Sequence, residues 1–147
     1  MAVEMIHVTT EQQLKQCLEI RNEVFVREQR VDESLEYDDY DRLDAQSYHM
    51  LVLDEERAAA TGRLILYGDN AAKMQRIAVR KTHRGTGLGR VLLLALEQLA
   101  RDLGLKESIL DAQCQAEQFY AKLGYAVVSE EPFYDAGILH VRMKKQL

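Results

Sequence analysis

The most constraining feature of the sequence lies between Lys73 and Ala112, where a strand pattern, a glycine-rich turn, a helix and a second strand follow one another. Leu88, Leu92, Ala95, Leu96, Leu99 and Leu103 recur at the spacing of one helical face. The flanking β patterns are Lys73–Val79 and Ser108–Ala112. Two strands joined across a helix must lie parallel, because a tight hairpin cannot carry the helix over the sheet. Upstream, Tyr48–Leu53, Ala58–Tyr67 and Lys73–Val79 are separated by the turn sequences Asp54-Glu55-Glu56-Arg57 and Gly68-Asp69-Asn70, which predicts an antiparallel meander. A short strand over Met5–Val8 precedes it, followed by a helix that opens at Thr10 with Gln13 in a capping-box pattern. Downstream, Gln115–Leu123 reads as a helix, and Ala126–Ser129 and Ile138–Met143 as strands, with Asp135-Ala136-Gly137 in the turn between these two. The whole predicts one α/β domain over residues 1–147, with a mixed sheet of about six to seven strands flanked by about four helices.

Composition removes several function classes. Of 147 residues, 47% are hydrophobic and 29% charged, enough for a packed core. A formal net charge of −5 argues against the broad basic surface of a nucleic-acid binder. No apolar run approaches the ~20 residues that span a bilayer. The opening Met1-Ala2-Val3-Glu4 has no signal-peptide pattern. Cys17 and Cys114 are the only cysteines, and the four histidines lie far apart, so no metal-ligand spacing exists. The expectation is a metal-free cytoplasmic domain that binds neither membrane nor nucleic acid.

Charge is concentrated in one place. Asp32 to Asp44 contains seven acids against the single base Arg42. The stretch reads either as a solvated loop or as an acidic lip that steers a cationic small molecule to a cleft. Just before it, the helical stripe of Leu14, Cys17, Leu18, Val24 and Phe25 also carries Arg21 and Glu28. Charge on an apolar stripe requires either a buried ion pair or a wet pocket.

The chemistry is most visible in Arg84-Gly85-Thr86-Gly87-Leu88-Gly89-Arg90. Glycines at a strand-to-helix turn let the backbone approach a ligand and orient several N–H groups together. The helix N-terminus adds positive potential, so the loop suits a phosphate or diphosphate. It is not a P-loop, because no Lys-Ser or Lys-Thr follows, and its glycine spacing is not that of the dinucleotide fingerprint.

Arg84-x-x-Gly87-x-Gly89 resembles the Q/R-x-x-G-x-G/A motif of the GNAT superfamily of N-acetyltransferases. The order of elements is that family's over nearly the whole chain. Gln113 through Tyr125 resembles its N-x-x-A-x-x-F/L-Y-x-K-x-G-F/Y signature, with Gln113 where Asn is commoner. Arg21-x-x-Val24-Phe25-Val26-x-Glu28-Gln29, the acidic stretch with His49, and Asp135-Ala136-Gly137-Ile138-x-His140 are similar to a bacterial branch, the ElaA/YjcF-like proteins.

The resemblance implies that acetyl-CoA is the cosubstrate, held in a V-shaped opening where the strand at Lys73–Val79 splays from that at Ser108–Ala112. Ile77 and Val79 would pair with the pantetheine arm, and the N–H groups of Gly85, Thr86, Gly87, Gly89 and Arg90, beside Arg84, would take the diphosphate. Gln113 and Lys122 are further cofactor positions. Tyr120 would protonate the departing sulfur, a task suited to a phenol with an ordinary pKa of about 10. A backbone N–H near Ile77 would hold the thioester oxygen as it gains charge. The acceptor would be a primary amine of a small molecule, with Arg21, Glu28 and His49 at its end of the site. A homodimer is an arrangement the resemblance allows. Some members carry a glutamate on the central strand as base, but this chain has Lys73 and Gln75 there. Glu28, Asp111, His49 or a water chain are the substitutes, and direct transfer is expected over a covalent acetyl-cysteine. A CoA-binding module without catalysis is the alternative.

Overall fold

The computed structural model describes residues 3–147, so Met1 and Ala2 of the opening segment lie outside it. β1 (Val3–His7) leads into α1 (Glu11–Arg21), whose start carries the expected capping box between Thr10 and Gln13. α1 continues as a π-helical segment over Asn22–Glu28, with wide-turn bonds such as Gln29 N–H to the Val24 carbonyl at 3.1 Å. The wider turn rotates Glu28 off the face that carries Arg21. The two charges therefore do not share a stripe as a straight helix predicts. A single-turn helix, α2 (Glu33–Glu36), opens the acidic stretch.

β2 (Ser47–Asp54), β3 (Arg57–Tyr67) and β4 (Ala71–Val79) form the antiparallel meander. α3 (Leu88–Asp102) crosses to β5 (Glu107–Gln113), which pairs parallel to β4 as the crossover requires. α4 (Glu117–Ala121), β6 (Ala126–Val127), β7 (Phe133–Asp135) and β8 (Ile138–Gln146) complete the chain. The sheet order is β1-β2-β3-β4-β5-β8-β6, with β7 also on β8. The sheet thus has eight strands. The one not foreseen is β7, which pairs Phe133 with His140 and Asp135 with Ile138 across the Asp135-Ala136-Gly137 turn.

Leu92, Leu93, Leu96 and Ala100 of α3 are fully buried on Val52, Ala60, Leu64, Ala72 and Leu110 of the sheet. Cys17, Ile20 and Val24 cover the opposite face at Leu51 and Ala78. Glu97 is the one charged residue among the buried positions of α3. It is wholly buried and accepts hydrogen bonds from the Tyr125 hydroxyl and Lys145 Nζ, each at 2.8 Å. Tyr125 in turn meets the Ser108 hydroxyl at 2.6 Å. A buried carboxylate is tolerated when it is both charge-paired and hydrogen-bonded, which sequence spacing alone does not reveal.

Part of the acidic stretch is tied into a buried ion cluster. Arg21, Arg63 and Arg76 from α1, β3 and β4 meet Glu36, Asp38 and Asp41 in one cluster. Arg21 is 1% exposed; its Nη1 lies 2.6 Å from Asp41, and its Nε lies 3.1 Å from Glu36. Arg63, also 1% exposed, bonds both Asp38 and Asp41 from Nη1 at 2.8 Å. Three guanidiniums offset three of the seven carboxylates, while Asp32, Glu33, Asp39 and Asp44 stay exposed, the last beside Arg42. The clustered charge ties the loop over one end of the sheet.

Candidate active site

The site begins where the parallel pair ends. β4 and β5 pair from Ala71 and Glu107 to Met74 and Leu110 and no further. Beyond that point β4 follows β3, while β5 follows β8. β4 carries an extra residue between its partners Thr61 and Arg63, and Arg76 sits there at φ +57°. Such a bulge bends one strand and re-aims its backbone groups. Past it, Ile77 and Val79 share one orientation by the two-residue strand period. The Val79 carbonyl points away from β3, since the Arg84 Nε donates to it at 3.0 Å.

The opening is a cavity of about 660 Å³ that includes Ile77, Val79, Arg84, Gln113 and Tyr120 among its walls. Five expected cofactor and catalytic positions therefore converge. The π segment supplies an apolar wall through Val24 and Phe25. At the mouth, Gly85 and Gly87 adopt φ +78° and +87°, the left-handed region where a side chain costs roughly 1–2 kcal/mol. α3 has no side-chain cap, and its first backbone bond runs from Val91 N–H to the Gly87 carbonyl at 3.1 Å. The N–H groups of Leu88, Gly89 and Arg90 are thus left unbonded within the helix, the arrangement an anion needs. This turn adjoins the cavity: a Cβ on Gly89 would lie 3.5 Å from Phe119 and 3.7 Å from Val79. Thr86 directs its hydroxyl to the His83 carbonyl, within the loop. Arg90 and Lys122 are exposed outside the cavity walls.

Tyr120 projects from α4, with its ring edge-on to Phe119 at 5.0 Å and to Tyr125 at 6.0 Å. Burial pushes its phenol up to about 12, so it stays protonated across the neutral range. Its hydroxyl has no hydrogen-bond partner among the described residues, nor is it a sealed orphan, so it opens onto the cavity it lines.

The three residues expected at the acceptor end are placed differently. Arg21 is held by Glu36 and Asp41 beneath the cavity wall, and only its partner Glu36 lines the space. His49 is buried on β2, with Nε2 2.9 Å from the Tyr40 carbonyl, and burial lowers its pKa. Glu28 binds Arg84 through two contacts of 2.8 and 2.9 Å. The Arg84 bond foremost, then its charge, holds the Glu28 carboxyl below its usual range. Arg21 and His49 thus shape the loop behind the site, and Glu28 meets the glycine loop instead of the acceptor end.

Sequence reasoning missed three cavity residues. Arg76 appears because of the bulge. Gln29 reaches across the opening, accepting from Gln113 Nε2 at 2.8 Å. His140 lines the cavity from β8, opposite Gln113 in the β5 register. The motif Asp135-Ala136-Gly137-Ile138-x-His140 contains the residue but gives it no role. Asp111 also lines the space but is clamped by Arg142 at 2.8 Å and by Lys73 at 3.6 Å. Burial alone would raise its carboxyl, yet these cations outweigh it and the net direction is down.

A family profile described as an acetyltransferase (GNAT) domain matches residues 7–147. The uncharacterized N-acetyltransferase YjcF of Bacillus subtilis is 44% identical over 135 residues, covering 92% of this chain and 94% of its own. The crystal structure of Escherichia coli ElaA superposes with a TM-score of 0.85 at 25% identity, covering 98% of this chain and 99% of that one. A Thermoplasma acidophilum PaiA N-acetyltransferase, solved in complex with coenzyme A, shares the fold at a TM-score of 0.79 and 17% identity, covering 100% of this chain and 100% of that one.

Proposed function

Because the chain belongs to the GNAT acetyltransferase family, we propose that it moves an acetyl group from acetyl-CoA to a primary amine by direct attack. The observation that carries this reading is the splay of β4 from β5 after Met74 and Leu110, with an uncapped helix start at its mouth and a free phenol in its depth. The backbone of Ile77 and Val79 would serve as the edge that the pantetheine arm extends, in the manner of an added strand. The N–H groups at the start of α3 would take the diphosphate. The thioester that the cosubstrate supplies would sit with its oxygen near the Ile77 N–H, a fixed dipole that stabilises charge as it develops. Tyr120, neutral at working pH, would donate its proton to the departing sulfur. The two cysteines, Cys17 buried and both unpaired, accord with a reducing cytoplasmic setting.

Arg84 sits between two uses. Its Nε covers the Val79 carbonyl and its Nη atoms bind Glu28, so the arriving cosubstrate must displace the first contact and compete for the second. Glu28→Gln is expected to tighten coenzyme A binding by about two- to fivefold, the scale of an exposed ion pair. Calorimetric titration checks this, and weaker binding would mean that Glu28 holds Arg84 in its working position.

The defining experiment incubates the chain with acetyl-CoA and a panel of amino sugars, polyamines, amino acids and peptides while following thiol release. Release that depends on one amine class supports the transferase. Tight coenzyme A binding without acetylation of any amine would favour the silent binding module instead.

A further inference from the structure

The acetyltransferase reading leaves one requirement open: an amine is an ammonium ion near pH 7 and cannot attack until it loses a proton. Apart from the exposed Asp135, the groups near the cavity that could take it are committed. Gln75 stands where a strand carboxylate would serve, and its Oε1 accepts from Arg63 at 2.8 and 3.1 Å. Asp111 is fixed by Arg142 and Lys73. Glu36 is fixed by Arg21 and Arg76. Glu28 is fixed by Arg84, and His49 lies outside the cavity walls.

His140 differs from all of these. The residue is 9% exposed, and its Nδ1 lies 2.7 Å from the Ile138 carbonyl. A carbonyl oxygen only accepts, so Nδ1 carries the proton and, in the neutral ring, Nε2 is a bare lone pair. Phe133 stacks on the ring at 6.2 Å and 21°, which holds its plane. Nε2 has no protein partner among the described residues and is not sealed from solvent, so in a residue this buried it opens into the cavity. The charged and titratable groups around that cavity are Lys73 and Arg76 on β4, Arg84 on the loop, Asp111 on β5, Glu36 on α2, Tyr120 on α4 and Asp135 on β7. Arg142 adds a further charge on the histidine's own strand. Asp135 is exposed and is the one carboxylate of this set without an ion-pair partner among the described residues.

We propose that His140 is the general base that deprotonates the acceptor ammonium, with Tyr120 as the acid on the opposite side of the reaction. This rests on the acetyltransferase reading. His140 Nε2 takes one proton from the ammonium nitrogen, and the freed lone pair forms a bond to the thioester carbonyl carbon. The carbon–sulfur bond breaks, its electron pair stays on sulfur, and sulfur receives the Tyr120 proton. Tyr120 is reprotonated, through water, by the second proton shed from the nitrogen. The imidazolium returns its proton to solvent, so ammonium and thioester give amide, thiol and one released proton. The Ile138 carbonyl steadies the imidazolium while it exists.

The test uses acetyl-CoA with spermidine, glucosamine and alanine, following whichever the wild-type chain acetylates fastest. His140→Asn is expected to lower kcat/KM by about a hundredfold or more, the usual scale of general-base catalysis, with coenzyme A affinity unchanged. Its rate should lose the wild-type plateau and climb about tenfold per pH unit with the fraction of free amine. His140→Ala, which opens a hole into the cavity, should regain activity with added imidazole, a response that a packing role does not give. Should either variant fail to fold, nitrogen NMR of the wild-type ring decides: the proposal requires the Nδ1–H tautomer in the neutral ring. An Nε2–H tautomer, a His140→Asn variant with the wild-type profile, or an equal loss in Asp135→Asn with none in His140→Asn overturns it. Absence of transfer by the wild-type chain to all three amines and the wider panel overturns the transferase reading and this assignment together, which separates that failure from the others.

Discussion

Tyr120→Phe is expected to lower kcat by about a hundredfold or more while leaving coenzyme A affinity within about twofold. The substitution removes one oxygen from a ring whose packing against Phe119 and Tyr125 is otherwise preserved. Because the hydroxyl makes no protein hydrogen bond among the described residues, its loss leaves no partner stranded, and stability should change little. The effect therefore isolates proton donation to sulfur. Its signature is a fall in kcat without a rise in KM for acetyl-CoA, because the interaction strengthens only as the sulfur becomes negative. A kcat within threefold of wild type would remove Tyr120 from the chemistry and leave water to protonate the thiolate. The phenol's upward shift to about 12 also predicts that activity does not decline through loss of this proton below pH 10.

Asp41→Ala should produce the largest loss of stability. One carboxylate accepts from Arg21 at 2.6 and 3.0 Å and from Arg63 at 2.8 Å, and both guanidiniums are 1% exposed. Removing it leaves two buried cations short of their partner, a change that costs about 3–5 kcal/mol. For a chain of this size that is a fall in Tm of roughly 10–15 °C. A shift under a few degrees would mean that water enters the cluster freely. The pH dependence has a definite sign. Burial raises the carboxyls of Asp38 and Asp41, but the arginine bonds outweigh it and hold both below the ordinary aspartate range. A depressed carboxyl contributes stability that is present above the unfolded value near pH 4 and is lost as pH falls through the folded value. Glu36 runs the other way: burial dominates and raises it, so it is protonated first on acidification. Melting temperature should therefore fall below about pH 4, and less steeply in Asp41→Asn, which has one depressed carboxyl fewer. Thermal melts from pH 3 to 7 check both statements.

Local chemistry was the legible part of the sequence. The capping box at Thr10, the crossover from β4 to β5 and the glycine loop are fixed by neighbours within a few residues, and each appears where the pattern put it. The family motif located Tyr120, Ile77 and Val79 in one opening because the crossover brings their elements together. What escaped detection depends on partners distant in sequence. Glu97 is seven places after Arg90 on a face that reads as polar, yet it meets Tyr125 and Lys145 from the far end of the chain. Counting charges between Asp32 and Asp44 could not reveal that arginines from three other elements take up three of the seven acids. The π segment changes the helical phase just where Glu28 would have faced the acceptor. For His140, the alternation of its strand reports two faces and not what covers them. Here β7 and the diverging end of β5 turn that face into a cavity wall.

The account depends above all on a cofactor-shaped opening between two parted strands, and isothermal titration tests that directly. Acetyl-CoA and coenzyme A titrated into the wild-type chain should each give a saturable heat with one site per chain. Pantetheine lacking the diphosphate should bind far more weakly, and Gly87→Val should abolish the difference by forcing the backbone out of the left-handed turn at φ +87°. No heat with either full-length ligand, or equal affinity for pantetheine and coenzyme A, would contradict the account at its base.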